Sequence, residues 1–292
     1  MRSFHYSLIF IGWLITLVAT AQEAGWINHF DGQPENYQLK RGEQLLPVTF
    51  LQILQVGDAI EVKNKQDVVT LNLVGGTQLF KVTVENSPFQ VKPGHQVPAS
   101  LESQWSWIKE QLNRWHQLTE SLNFEDDKST MLSMPLLANL KKPATLVAGQ
   151  RALHLQWYGG KSPYLVQVKQ RREDLWQVMT EKARVETTPI IFEAGHSYRV
   201  IIIDAAEQKF IGGFRVVDAN EIPSYPVFSS PNQEIDEIYQ TLLVSWLAAQ
   251  EGGMWRFEAF QRIAQISNSV AELLRQALAK GGEKQALRGV RG

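Results

Sequence analysis

The sequence predicts a mainly β protein with α-helical parts: two β modules, a long amphipathic helix between them, and a helical unit toward the C-terminal end. Three observations carry this. Short β-branched runs separated by turn residues recur over 45–84 and again over 140–218. Apolar residues recur at steps of three and four after Ser100. Further stretches of that helical period follow Pro223, Pro226 and Pro231.

Composition narrows the function classes. A chain of 292 residues with 44% hydrophobic and 20% charged side chains is globular in character and has room for more than one domain. Its net charge of -1 lacks the positive excess that nucleic-acid binders concentrate on one face, so nucleic acid is not an expected partner. The absence of cysteine removes disulfides, thiolate zinc sites and thiol catalysis together. Nine tryptophans point to well-filled cores and to interfaces, where one edge of the indole stays polar.

Residues 1–21 have the parts of a secretory signal peptide. Arg2 stands ahead of an apolar run over 8–19, and Ala19-Thr20-Ala21 supplies small residues before Gln22. Cleavage is expected at Ala21/Gln22, giving a periplasmic or secreted protein with no membrane span after cleavage. The run is shorter than the roughly 20 residues a spanning helix needs, which makes a retained anchor the alternative.

The first β module is expected over 22–95. Trp26, Phe30 and Tyr37 precede Gly42, and the stretch 45–84 reads as consecutive antiparallel strands joined by tight turns at Gly57-Asp58, Asn64-Lys65 and Gly75-Gly76. Gly42 with Leu45-Leu46, the run Leu54-Gln55-Val56-Gly57-Asp58-Ala59-Ile60, and Val69-Thr70-Leu71-Asn72-Leu73 before Gly75-Gly76 resemble the FecR-like domain. The resemblance implies a periplasmic β module of the kind found in anti-sigma regulators. The regulator's function does not carry over, because the few residues ahead of the apolar run do not make a cytoplasmic arm. Asp58 invites a cation or sugar-hydroxyl reading, but an Asp after Gly in a turn is accounted for by bonding its own backbone.

A connecting amphipathic helix is expected over 99–123. Leu101, Trp105, Ile108, Leu112, Trp115 and Leu122 form one stripe about 33 Å long, with Glu102, Lys109, Glu110 and Arg114 mostly off it. That stripe demands a partner surface, which the protein's own modules can supply. Trp107 lies off the stripe and is a candidate for an exposed contact. The linker over 124–139 contains Glu125-Asp126-Asp127, which lacks the ligand alternation of a calcium loop and reads as a solvated charge run.

The second β module is expected over 140–219. Leu153, Leu155 and Trp157 alternate with His154 and Gln156, and Tyr164, Val166 and Val168 alternate after Gly159-Gly160. With Trp176, Val178 and the run Phe192-Glu193-Ala194-Gly195-His196-Ser197-Tyr198, these residues resemble the fibronectin type III and immunoglobulin-like sandwich. The resemblance implies that Trp157 is the core tryptophan and that Tyr198 bonds back to the backbone near the turn. His154 and His196 have no carboxylate at ligand spacing, so no metal is expected.

The C-terminal helical unit is expected over 220–282, with a basic tail over 283–292. Ser230 and Pro231 open a helix through Ile235, Ile238, Leu242 and Trp246; Gly252-Gly253 stops it; a second carries Trp255, Ala259 and Ile263; and Ser269 with Glu272 caps a third that ends at Gly281-Gly282.

No nucleophile elbow, acid pair or phosphate loop stands out, so the expectation is not an enzyme, with no cofactor. The sequence reads as an exported non-catalytic scaffold or adaptor. It would bind another envelope protein through its helical parts, with Trp107, Trp246, Trp255 and Phe257 at the contact. The alternatives are a cell-wall glycan or polysaccharide binding module, with Trp26, Tyr37 and Trp107 stacking on sugars, and a periplasmic sensor subunit acting on a membrane partner. On the scaffold reading, removing 228–292 is expected to abolish partner capture while leaving the β modules folded.

Overall fold

A computed structural model describes residues 22–74, 79–92, 102–120, 130–138, 143–224 and 233–281. The signal-like segment, the Glu125-Asp126-Asp127 run, Gly75-Gly76 and the basic tail lie outside them.

The first module contains strands β1 (Glu23–Phe30), β2 (Tyr37–Arg41), β3 (Gln44–Leu46), β4 (Ile53–Gln55), β5 (Ala59–Val62), β6 (Val69–Leu73), β7 (Phe80–Val82) and β8 (Phe89–Gln90). They form two four-stranded sheets, ordered β4-β1-β6-β7 and β3-β2-β5-β8. The consecutive meander expected over 45–84 is therefore not what forms. β4 pairs with β1, β5 pairs with β2 and β8, and only β6 with β7 follows chain order within that stretch after β3. The turn at Val56-Gly57 passes the chain from one sheet to the other, which lets both sheets bury a face on a shared core of Ile27, Phe30, Leu39, Leu54, Ile60 and Leu71.

Asp58 fastens that crossing. It is 1% exposed. Its carboxylate accepts from Arg41 Nε at 2.9 Å and Nη2 at 2.7 Å, and from the Gln55 backbone N–H at 2.8 Å. Arg41 also donates to the Ile53 carbonyl at 2.8 Å. One buried carboxylate thus ties β2 of one sheet to β4 of the other, and its oxygens are spent on the fold.

Tyr37 lies in the same module, 4% exposed. Burial, with the negative charges of Asp67 and Asp31 nearby, pushes its phenol from the ordinary 10 to about 12. The folded state holds the phenolic proton more tightly than the unfolded chain does. Its contribution is complete below pH 10 and is lost as pH rises toward 12. An alkaline titration followed by phenolate absorbance should show one late tyrosine that Tyr37→Phe removes; a titration in which every tyrosine ionises together contradicts the burial.

Helix α1 (Glu102–Glu120) follows, and the second module then runs through β9 (Ala144–Val147), β10 (Gly149–Arg151), β11 (His154–Gln156), β12 (Tyr164–Gln170), β13 (Glu173–Thr180), β14 (Arg184–Glu186), β15 (Ile190–Phe192), β16 (Ser197–Ile203) and β17 (Lys209–Val217). Its main sheet has the order β13-β12-β16-β17-β9. β9 joins parallel to β17, while the other neighbours are antiparallel. Two short pairs, β10 with β15 and β11 with β14, contribute Leu155, Ile190 and Phe192 to the core that also holds Val166, Val200 and Phe214. Trp157 is 1% exposed there and meets Tyr164 edge-on at 5.3 Å. The Glu193 backbone N–H donates to Tyr198 Oη at 3.0 Å, so the tyrosine does bond back beside the turn.

The C-terminal helices are α2 (Gln233–Ala249), α3 (Arg256–Ile263) and α4 (Ser269–Lys280). α4 is capped by Asn268, whose Oδ1 accepts the Ala271 N–H at 2.8 Å. The expected cap, Ser269, is instead the first helical residue. Gly281 closes the helix with a φ of 77°, a left-handed turn that glycine adopts without side-chain cost.

These helices are built into the second module. α3 lies on β9, and Phe257 tilts against Phe214 at 5.0 Å. Glu258 Oε2 accepts the Val147 N–H at 3.0 Å and pairs with Arg151 Nη1 at 3.0 Å, while its Oε1 accepts from Arg262 Nε at 2.8 Å. Gln261 bonds both backbone groups of His154, accepting its N–H at 2.8 Å and donating to its carbonyl at 3.0 Å. The Thr145 N–H donates to the Met254 carbonyl at 2.9 Å. Glu258 and Gln261 thus satisfy backbone groups of the strands, although Thr145 Oγ1 is enclosed without a partner. α1 packs on α2 and α4 through Ile108, Leu112 and Trp115, and Lys109 pairs with Glu23 of β1 at 2.8 Å. One core cluster consequently spans the second module, the helices, and Trp26 and Leu51 of the first module. Among the described residues no helix is long and apolar enough to cross a membrane.

Candidate functional site at the module junction

A cleft rich in polar side chains lies where the first module meets α2 and α4. Strand β1 builds one wall. Its apolar residues Ile27 and Phe30 both enter the inner core, and two residues, Asn28 and His29, stand between them. The ladder with β6 accommodates this by a register shift between Ile27 and His29. Such a bulge turns side chains that would otherwise alternate, and both Asn28 and His29 line the junction cleft. The opposite wall is the start of α4. The cleft has a volume of about 570 Å³.

A hydrogen-bonded chain crosses it. His29 Nε2 is 2.8 Å from Asp31 Oδ1, and His29 Nδ1 is 3.2 Å from Ser269 Oγ. The carboxylate only accepts, so Nε2 carries a proton; in the neutral ring Nδ1 then accepts the Ser269 hydroxyl. Phe50 stacks on the imidazole at 5.9 Å and holds its plane. Lys81 and Glu237 face the cleft from β7 and α2. Asn268 Nδ2 lies 3.5 Å from Glu237 Oε2. Asn28 is 6% exposed, and its Oδ1 is enclosed without a hydrogen-bond partner.

Serine, histidine and aspartate in line resemble a nucleophile, base and orienting acid, but the electrostatics differ from those of such a relay. The orienting carboxylate of a working relay is buried, where its charge acts at low dielectric. Asp31 has 63% of its side chain exposed and His29 has 42%, so solvent screens the pair. The two hydrogen bonds hold His29 between Asp31 and Ser269.

A second cleft of about 350 Å³ lies between β11, β14 and the last two helices, lined by Lys182, Arg184 and Arg275 over an apolar floor. Arg275 is already engaged. It donates to Gln156 Oε1 at 2.9 Å and to both oxygens of Glu272, and its hydrogen bonds hold the Glu272 carboxyl below the ordinary carboxylate range.

Of the aromatics expected at a partner contact, Trp255 and Phe257 are interior, at 1% and 0% exposure. The second module covers the helical face that carries them, and helical periodicity alone does not identify that cover. Trp107 and Trp246 are half-buried and pack against the same core. Trp26 and Tyr37, the expected sugar-stacking platforms, are interior at 3% and 4%. His154 and His196 sit apart. His154 lies 3.9 Å from Glu186 in the second cleft, while His196 Nδ1 is 3.0 Å from Glu193 and 2.8 Å from Gln170. No group of three or more potential metal ligands occurs among the described residues.

No protein-family model matches the chain. Comparison with the curated proteins finds no match either.

Proposed function

We propose that the protein is an exported, non-catalytic scaffold or adaptor whose second module docks another envelope protein. The observation that carries this reading is the outer face of the five-stranded sheet. There Met179, Leu165 and Ile203 are aligned across β13, β12 and β16, and Ile201 pairs with Ile211 of β17. Met179 is 59% exposed and Ile211 53%. A sheet with one wet face normally alternates apolar with polar residues, whereas β16 reads Val200-Ile201-Ile202-Ile203 without a break. On the outer face Ile201 is itself 7% exposed, so the apolar side chains left open there are Met179 and Ile211.

Around the patch lie Lys169, paired with Asp174 at 2.7 Å, and Gln167 with Gln177 at 3.3 Å. An apolar centre with a polar surround is the anatomy of a protein contact. β13 is an edge strand, so its outer backbone groups can take a strand from the partner. The partner's contribution over Met179 and Ile211 is an apolar surface laid on the face of the sheet, and a strand added at the β13 edge would lie beside Met179 only. The FecR-like and fibronectin-like resemblances agree with this role, the second being supported by the hydrogen bond to Tyr198 Oη. The exposed Asp31 supports the non-catalytic side of the reading.

A photo-crosslinking residue at position 211 should give one discrete adduct in cells. The same residue at Leu45, an isolated apolar side chain at 61% exposure, should give none. Ile211→Lys should weaken capture of the crosslinked partner about tenfold without changing the melting temperature. Equal adducts at both positions, or undiminished capture by Ile211→Lys, contradict the docking face.

A further inference from the structure

We propose that the second cleft, between β11, β14 and the last two helices, is a binding site for a small organic anion whose carboxylate or phosphoryl oxygens are received by Arg184 and Arg275. This goes beyond the docking face and does not rest on it. Three cations from three elements converge there: Lys182 from the turn after β13, Arg184 from β14 and Arg275 from α4. Like charges gathered in one concavity repel one another, and an anion set among them relieves that repulsion. Arg275 is held ready for one. It donates from Nε at 2.8 Å and Nη2 at 2.5 Å to Glu272, and from Nη1 at 2.9 Å to Gln156 Oε1, which fixes the guanidinium with 20% of its side chain exposed. A guanidinium has five N–H donors, so two are left for a ligand.

Arg184 stands beside it. The pairing of β14 with β11 aligns Arg184 with Gln156, the residue that holds Arg275. The Glu272 carboxyl, held down chiefly by the hydrogen bonds of Arg275, also feels the charge of Arg184. One carboxylate thus serves two guanidiniums, and the other, Glu186, lies 3.9 Å from His154. Among the described residues the exposed side chains of Lys182 and Arg184 make no ion pair. Three cations against two carboxylates leave positive charge in excess, which selects an anion. Guanidinium forks match the paired oxygens of carboxylate and phosphoryl groups. A volume of about 350 Å³ is at the small end of ligand sites and suits an acid of a few carbons, with the half-buried Val185 and Ala264 beside its skeleton.

The test is titration of the mature chain, followed by amide chemical shifts, with succinate and glycerol 3-phosphate, and with succinamide and glycerol as their neutral counterparts. Saturable shifts at residues 156, 184 and 275 with at least one of the two anions are expected, weakening as salt is raised. Which anion binds tells carboxylate from phosphoryl. Arg184→Gln should weaken that anion about tenfold and leave the melting temperature unchanged, because its exposed side chain makes no ion pair to lose. Should that variant fail to fold, Lys182→Gln makes the same test from the neighbouring turn. Absence of saturable shifts with both anions, equal binding of a neutral counterpart, or full affinity in the folded variant overturns the proposal.

Discussion

Phe257→Ala is expected to destabilise the second β module by about 3–5 kcal/mol, although the residue belongs to a C-terminal helix. Its ring is 0% exposed and meets Phe214 of β17 at 5.0 Å, so truncation opens a cavity between helix and sheet. Glu258→Ala acts at the same seam. It strands Arg151 and Arg262 and leaves the Val147 N–H without its acceptor, a loss of about 3 kcal/mol or more because one member of a buried pair is removed while the other charge stays. Denaturant unfolding followed by hydrogen exchange at the β9 amides is the measurement. Loss of protection confined to α3 and α4 would show that the helices are an appendage. The shared seam also argues against the expectation that both β modules stay folded without 228–292. A chain ending before α2 would leave uncovered the apolar side of the second module that contains Phe214, and is expected to aggregate or to lose cooperative unfolding.

Asp58→Ala should cost about 3–5 kcal/mol, felt in the first module. The carboxylate is 1% exposed and joins the two sheets through Arg41 and Gln55. Asp58→Asn keeps an acceptor for the Gln55 N–H and should recover some of the loss. The first module has its own core, so unfolding monitored there should shift while the transition of the second module moves less. Trp26, which enters the other core, sets how far the two transitions separate. Equal shifts of both would mean that the chain unfolds as one unit.

Much of the architecture is legible in local patterns. Alternation at Leu153, Leu155 and Trp157 marks β11, alternation at Tyr164, Val166 and Val168 marks β12, and the helical periods locate α1 to α4 to within a few residues. Pairing is not legible in the first module. A turn such as Val56-Gly57 specifies a reversal but not whether the next strand returns to the same sheet or crosses to the facing one. Burial of the helical aromatics escapes for a related reason. The apolar face with Trp255 and Phe257 announces a need for cover, but periodicity carries no record of which surface provides it.

The junction cleft leaves a faint trace. In Trp26-Ile27-Asn28-His29-Phe30 two polar residues interrupt what alternation would make an apolar position, and that is the signature of the bulge. Ser269 comes to His29 across 240 positions of chain, a proximity that no local pattern contains. The outer patch has a clearer signal in the unbroken run Val200-Ile201-Ile202-Ile203.

The parallel pairing of β9 with β17 bears on how the protein responds to tension. Ala144 aligns with Phe214 and Val147 with Val217, so the strand that enters the second module and the strand that leaves it run the same way. Pulling the chain from both sides of this module draws the two strands past each other lengthwise, and the ladder between them bears the load at every rung together. Antiparallel first and last strands would instead unzip rung by rung. A load applied across this module would in this way be resisted until the whole rank of bonds gave way at once.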